Sequence, residues 1–278
     1  LNVASISGFV LFAVSSILVS LALVPVALTT SMAPAPLTKV DLRLGWVFRT
    51  SPVGAIGCLA VGFVSGAFWS LSPIYAQASL LSIPEIALFM SVTIVGGVVA
   101  QWPLGRLSDA IDRRHVVIVC CLGAASAGIT MSIFGSSSNI MLLVLSFLFG
   151  SFAFPLYSIC VAHANDYVSS DDFVAMSSGL LLTFGIGAVV GPVLGSALMS
   201  VAGQNWLFVY TAAVHLLMAA FTIMRINIKT AVPAAERENF SPLAGAMTAE
   251  ALNVDPRSAP ATTQGSGSHP HASPVNTP

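Results

Sequence analysis

Seven long apolar runs constrain this chain more than any other feature of its sequence. A bilayer core of about 30 Å requires about 20 apolar residues in a helix, and lipid offers no partner for an exposed backbone amide. None of the runs shows the polar and apolar alternation of a barrel strand. We therefore predict an all-α membrane protein with seven transmembrane helices. The runs span residues 4–30, 52–77, 85–104, 115–135, 139–163, 173–201 and 206–225.

The few charged residues support this class and predict an orientation. Only 8% of the residues are charged, against about 25% in ordinary soluble domains. The ten lysines and arginines lie only after the first run, after the third run and from the end of the seventh run onward. Because an excess of Lys and Arg marks the cytoplasmic side, we predict a multi-pass protein with a cytoplasmic C-terminus.

The two ends of the chain and its first connection carry further expectations. Leu1 begins directly in an apolar run without an initiator Met, which favours a chain cut from a longer protein. Residues 226–278 are rich in Pro, Ala, Ser and Thr, and we predict a disordered tail there. Residues 41–52 alternate apolar bulk with Arg43 and Arg49, a pattern typical of a short helix in the membrane interface.

A charged segment separates the third and fourth runs. Residues 101–117 read QWPLGRLSDAIDRRHVV, with five charges within nine positions. We predict a tight turn between the two runs, in which Asp112 caps the next helix. Asp109 is expected to pair with Arg106, with Arg113 or with the N-terminus of a neighbouring helix. On charge alone, the segment is equally well explained as a topology signal.

The sixth run contains glycines spaced four residues apart. It reads GIGAVVGPVLGSAL, which places Gly187, Gly191 and Gly195 on one helix face beside Pro192. Glycines at this spacing allow two membrane helices to pack backbone against backbone, and a proline inside a helix bends it. The pattern predicts a close-packed, kinked helix. Both a static contact and a helix that moves against its partner are consistent with it.

Both segments resemble signatures of the major facilitator superfamily. In the family's cytoplasmic loop motif, any residue is accepted at the position of Arg106. Ala110 stands where the motif has a basic residue, and Asp112 stands where it has a second glycine. The stretch GAVVGPVLG resembles the antiporter motif GxxxGPxxG, and QWPLGRLSD and VAHAND resemble the bacterial YcaD-like group. The segment GRLSDAIDRR is similar to the loop motif at Gly105, Leu107, Ser108, Asp109, Arg113 and Arg114.

The resemblance implies an architecture. In this family the loop motif follows the second helix of each six-helix half, so the seven runs correspond to helices six to twelve of a twelve-helix transporter. Residues 1–30 are then the last helix of an N-terminal half, 31–51 a cytoplasmic linker, 52–225 the C-terminal half and 226–278 the tail. The competing register, in which runs two to seven form the first half, leaves the first run unexplained.

The resemblance also implies a function. The family moves small solutes across membranes by alternating access, so the expected partners are membrane lipid, a small-molecule substrate and a missing N-terminal half. A bacterial inner membrane is the expected location. We expect no cofactor, metal site or nucleic-acid partner, and no enzymatic activity, because neither a nucleophile and base pair nor HExxH occurs within the runs.

Candidate cavity residues lie in runs that the resemblance places around the transport site. They are Trp69 and Tyr75 in run two and Tyr157 and His163 in run five. Aromatic residues at helix ends are also ordinary interfacial anchors, and His163 lies near the cytoplasmic end, where solvation alone explains it. His215, in the last run, is expected to be a neutral, hydrogen-bonded structural residue. All eleven acidic residues lie at run ends or outside the runs, and no Arg or Lys lies within a run, which favours a half that binds something neutral or mainly apolar.

A seven-helix sensor or receptor is the alternative function. The number of spans and their orientation fit it as well as a transporter. A retinal protein needs a lysine within the last helix, however, and Lys39 and Lys229 both lie outside the runs. The charged turn and the glycine-dense sixth run favour the transporter.

Overall fold

A computed structural model of the chain describes residues 8–27, 43–135, 137–169 and 172–228. All regular elements in these ranges are helices, which confirms the predicted all-α class. The predicted tail lies outside the described residues from 229 onward, and so does most of the predicted linker. The helices are α1 (Gly8–Ala27), α2 (Leu44–Thr50), α3 (Pro52–Ala78), α4 (Ile83–Ala110), α5 (Arg113–Phe134), α6 (Asn139–Ala153), α7 (Leu156–Asn165), α8 (Phe173–Ala202) and α9 (Trp206–Ile226).

Six helical segments are long and apolar enough to cross a membrane, and they match the predicted runs two to seven. They are α3, α4, α5, the combined segment Asn139–Asn165, α8 and α9. All six belong to one compact unit, residues 39–253, which we call the six-span unit. The first predicted run contains α1, which belongs to a separate unit and whose apolar part, Phe12–Val24, is shorter.

The six-span unit is built from helix pairs around an apolar interior. The most extensive contacts join α3 to α8, α4 to α6 and α5 to α9. Two buried clusters fill the interior, one rich in aliphatic residues and cysteines, the other in aromatic rings. Cys58, Cys120, Cys121 and Cys160 are buried free thiols in the first cluster. They pack there as small apolar side chains.

The fifth predicted run is interrupted, which its hydropathy did not indicate. α6 ends at Ala153 and α7 begins at Leu156, so Phe154 and Pro155 separate two helices. Proline has no N–H to donate, and its ring conflicts with the carbonyl four residues earlier. By contrast, Pro192, where we predicted a kink, lies inside the continuous helix α8.

The short helix predicted within residues 41–52 is present as α2, and its position in the membrane interface stays a prediction. Val47 is fully buried, and the ring of Trp46 packs against the aliphatic cluster. Phe48, on another side of the helix, is 36% exposed. α2 is therefore attached to the six-span unit through one face and leaves an apolar ring uncovered on another.

Candidate functional site

The charged segment lies between α4 and α5, but its structure differs from the predicted turn. Residues 105–109 continue α4, which ends at Ala110, and α5 begins at Arg113. Only Ile111 and Asp112 connect the two helices. The predicted tight turn is present, but it is shorter than the ten residues between the two apolar runs, because hydropathy marks where a helix leaves the apolar core and not where its backbone hydrogen bonds end.

Arg113 is the centre of a buried ion-pair network. Its Nε donates to Asp166 Oδ2 at 2.9 Å, and its Nη1 lies 3.1 Å from Asp109 Oδ1. Nη1 also donates to the hydroxyl of Ser108 at 3.2 Å. The side chain of Arg113 is 1% exposed, that of Asp166 3% and that of Asp109 33%. These four residues, which we call the Arg113 network, join the ends of α4, α5 and α7.

The network includes one predicted partner of Asp109 and one residue, Asp166, that no local sequence pattern predicted. Arg113 is among the partners predicted for Asp109, and the structure confirms that pair. Arg106 instead holds its guanidinium over the ring of Trp102, 4.8 Å from the centroid. Asp166 was not predicted as a site residue. The available signal was an acid placed directly after an apolar run, without a basic neighbour in sequence.

Asp112 and Arg114 form a second, local pair beside the network. Asp112 accepts from the backbone N–H of Arg114 at 3.0 Å, which confirms the predicted N-cap of α5. The guanidinium of Arg114 also donates to Asp112, with Nη2 at 2.7 Å. Partial burial acts to raise the pKa of Asp112, but the hydrogen bonds and charge of Arg114 outweigh it and hold that pKa below its ordinary value.

The glycine motif of the sixth run forms a backbone contact between two spans. Gly187 and Gly191 of α8 lie against α3, where Gly62 and Gly66 face them. A methyl group on any of these four would overlap a backbone carbonyl of the opposite helix. At Gly195 a methyl group would approach a side chain instead. The predicted close packing is therefore present, and it leaves no room for even one methyl group at its centre.

Two of the four candidate cavity residues lie inside the packed unit. Tyr75 is 1% exposed, and its ring meets the ring of Phe208 edge-on at 4.9 Å. Tyr157 is 5% exposed and packs edge-on against Phe184, 5.2 Å between ring centroids. Both tyrosines connect spans to one another in this conformation, and a contact with a solute remains a prediction for each.

The other two candidates are placed differently. Trp69 is 43% exposed, and its ring stacks on Phe154 at 5.8 Å, beside the interruption of the fifth span. His163 is buried near the end of α7, edge-on to Tyr167 at 5.2 Å. The four candidates therefore do not converge on one pocket. Trp69 is the one that presents an uncovered aromatic face.

The remaining ionisable side chains of the spans provide no metal site in the described ranges. No three His, Cys, Asp or Glu side chains lie together there as ligands. His215 is 3% exposed, and its Nδ1 lies 2.7 Å from the carbonyl oxygen of Thr211. The predicted hydrogen bond of His215 is therefore present.

Comparison with known proteins extends these observations. YcaD of Escherichia fergusonii, described as an uncharacterized MFS-type transporter, is 32% identical over 166 residues, which cover 60% of this chain and 42% of that protein. An uncharacterized MFS-type transporter of Yersinia enterocolitica is 32% identical over 172 residues, covering 60% and 43%. One of Enterobacter sp. strain 638 is 33% identical over 170 residues. The chain thus spans less than half the length of these relatives.

The predicted resemblance to the YcaD-like group is confirmed by these relatives. A wider comparison agrees, because the sequence profile of the Major Facilitator Superfamily matches residues 54–263, a range that contains the charged segment, the glycine motif and almost all of the six spans. The match favours a transporter over the sensor alternative. With six apolar spans in one unit and this profile across three quarters of its length, the chain is a multi-pass membrane protein that belongs to the Major Facilitator Superfamily.

Proposed function

We propose that the six-span unit is one half of a transporter that moves a small solute across the membrane by alternating access. The family and the transporters among the relatives support transport as the general activity. In alternating access two helical halves rock about a site near the bilayer midplane. The six-span unit would form one wall of that site, and a second group of six spans would form the other.

The proposed second half agrees with the greater length of the relatives. We assign residues 52–225 to the C-terminal half, 1–30 to the last helix of the N-terminal half, 31–51 to a linker and 226–278 to a tail. The basic connections support a cytoplasmic position for the linker, the charged segment and the C-terminus. The relatives come from bacteria, which supports a bacterial inner membrane as the location.

The main support for this mechanism is the burial of Arg113 between Asp109 at the end of α4 and Asp166 at the end of α7. A buried arginine that loses its acidic partner retains an uncompensated charge, which costs about 3–5 kcal/mol. The ends of α4, α5 and α7 therefore move together, or separate at a large cost. Asp109 is the network member whose side chain is one third exposed. In this mechanism its carboxylate contacts the other half, and the contact forms and breaks as the halves rock.

The glycine contact supports the same movement. Backbone-to-backbone packing of α3 and α8 leaves few side-chain rotamers between them, so the two spans behave as one rigid pair. Transport by rocking requires such rigid groups, because the solute site is opened and closed by whole helices rather than by single side chains. The exposed faces of this pair and of α4 are then the surfaces that meet the second half.

The distribution of charge supports the binding of a neutral or mainly apolar group by this half of the transporter. All acidic residues lie at span ends or outside spans, and the same holds for lysines and arginines. A solute with a net charge needs a fixed opposite charge near the midplane, because an unpaired ion is costly at that depth. Within the described spans, the buried clusters consist of aromatic and apolar side chains.

The proposal is tested by reconstituting the full-length protein in proteoliposomes and measuring counterflow of radiolabelled neutral and anionic solutes. We expect exchange of a neutral or mainly apolar solute, and an Asp109→Asn variant that inserts normally but exchanges about tenfold more slowly. Asp172→Asn, a change at an exposed acid before α8, is the matched control and should exchange normally. Equal exchange by wild type and Asp109→Asn would refute the role of the network. Exchange of doubly charged anions alone would refute the substrate class.

A further inference from the structure

A cleft that the transport mechanism does not use lies where five helix ends meet. It is lined by the end of α2, the start of α3, the start of α5, the end of α7 and the end of α9. Its polar side chains include Ser51, Arg114, His163, Tyr167 and Arg225, and no described acidic side chain lines it. The empty volume is about 240 Å³ including the open mouth, and the inner part has room for a single water-sized atom.

Two groups in this cleft have no partner within the described part of the chain. Ser51 is 1% exposed, and its buried hydroxyl makes no hydrogen bond there. Arg225, in the last turn of α9, is absent from the ion pairs of the described residues. A buried hydroxyl without a partner costs about 1–3 kcal/mol. A ligand that accepts from Ser51 recovers this free energy.

The surrounding charges make the cleft positive. The 27-residue helix α3 begins at Pro52, directly after Ser51, and the start of a helix acts as about half a positive charge. The positive starts of α3 and α5 are offset by the negative ends of α7 and α9, and Arg114 is neutralised by Asp112. Arg225 has no acidic partner among the described residues, so its charge leaves the cleft net positive. A helix start, a hydroxyl donor and an arginine are the groups that proteins combine to bind phosphate and other oxyanions.

We propose that this cleft binds a phosphate-bearing anion, with the Ser51 hydroxyl and the Arg225 guanidinium as its donors. The small inner space admits one phosphate oxygen to Ser51, and the rest of the phosphate stays at the mouth beside Arg225. A free phosphate ion and the headgroup of an anionic membrane lipid share this chemistry. The lipid is the source favoured by position, because the cleft lies at the ends of membrane spans, where headgroups are concentrated.

The experiment uses the purified full chain in neutral detergent. Thermal unfolding is followed while dioctanoyl phosphatidylglycerol or inorganic phosphate is titrated, and the dissociation constant is taken from the rise in Tm. We expect saturable stabilisation by phosphatidylglycerol. Arg225→Gln should weaken binding about tenfold, as expected for loss of a charged donor, while Arg225→Lys retains most of it. Arg49→Gln, which removes the same charge from an exposed position on α2 outside the cleft, should change binding less than twofold.

Ser51→Ala separates ligand binding from folding. Because it removes an unpaired buried hydroxyl, the ligand-free variant should unfold at the same or a higher temperature than wild type. The dissociation constant of this variant for phosphatidylglycerol should nevertheless be about fivefold higher than that of wild type. Stabilisation by inorganic phosphate with the same variant pattern would support the anion site and identify free phosphate as sufficient. No saturable effect of either probe, or equal losses in Arg225→Gln and Arg49→Gln, would overturn the proposal and leave a cleft that holds only water.

Discussion

Arg113 donates a hydrogen bond to Asp166 at 2.9 Å across 53 positions of sequence, and both side chains are almost completely buried. The bond joins the first turn of α5 to the residue that follows α7. In the sequence these residues stand at the start and the end of two consecutive spans, α5 and the α6–α7 segment. A charge buried in this way is stable only while its partner remains, so each residue constrains what the other position tolerates.

Asp166→Ala should lower the free energy of unfolding by about 3 kcal/mol, because it leaves the Arg113 guanidinium buried and only partly paired. Asp166→Asn keeps an acceptor and should cost less. The double variant Arg113→Met with Asp166→Leu removes both charges and should recover most of the loss. Unfolding of the purified chain in mixed detergent and dodecyl sulfate micelles measures these changes.

The control for this series is Asp172→Ala, which removes an exposed acid at the start of α8. It loses an exposed hydrogen bond from the Ser169 hydroxyl at 3.4 Å and a favourable position at a helix N-terminus, and it should cost less than about 1 kcal/mol. If Asp166→Ala is no more costly than Asp172→Ala, the pair contributes nothing to stability and the Arg113 network is not a rigid connection between helix ends.

Gly191→Ala should destabilise the six-span unit by about 2 kcal/mol, because the added methyl group overlaps a carbonyl of α3 and the two helices must move apart. Gly185→Ala, on the same helix, is the matched control, since no atom lies within 4 Å of the added methyl group. It should be neutral or stabilise by about 0.5 kcal/mol. Thermal unfolding in detergent compares the two. A similar Tm for both variants would contradict the backbone contact between α3 and α8.

The spans could be predicted from the sequence because the bilayer imposes one length on all of them. The fourth run, residues 115–135, matches α5, Arg113–Phe134, to within two residues. α4 was placed less well because its last six residues, 105–110, are outside the apolar run and still helical. The interruption at Pro155 was missed because a proline in a membrane helix has two outcomes, as Pro192 inside continuous α8 demonstrates.

The candidate site was predictable only where its residues are neighbours in sequence. The pairing of Asp109 with Arg113 and the capping by Asp112 depend on helix geometry over a few positions. Asp166 enters the network through tertiary packing, which no local pattern encodes. Ser51 is a similar case, because its unpaired hydroxyl depends on which other helix ends surround it.

Asp112 should give the six-span unit an acid-sensitive contribution to stability. Its pKa is lowered from 3.8 in the folded chain, so its charge stabilises the fold above the unfolded pKa, and this contribution is lost as the pH falls through the folded pKa. Asp112→Asn keeps an acceptor for the N–H of Arg114 but removes the charge, whereas Asp112→Ala removes both and should cost about 1 kcal/mol at neutral pH. Unfolding measured from pH 7 down to acid pH should show the difference between wild type and Asp112→Asn shrinking. A difference that is independent of pH would show that the charge has no role.

Trp69→Ala should raise the KM of the full-length transporter for its solute about fivefold. The Trp69 ring stacks on Phe154, and its exposed part offers a solute a flat apolar contact worth about 1 kcal/mol. Trp69→Phe keeps an aromatic face and should retain most of the affinity. Trp206→Ala is the matched control: Trp206 is also 43% exposed but lies at the first position of α9. Counterflow in proteoliposomes separates KM from the maximal rate, and the maximal rate should change little. Equal effects of Trp69→Ala and Trp206→Ala would show that both rings are interfacial anchors, and Trp69 would then have no contact with the solute.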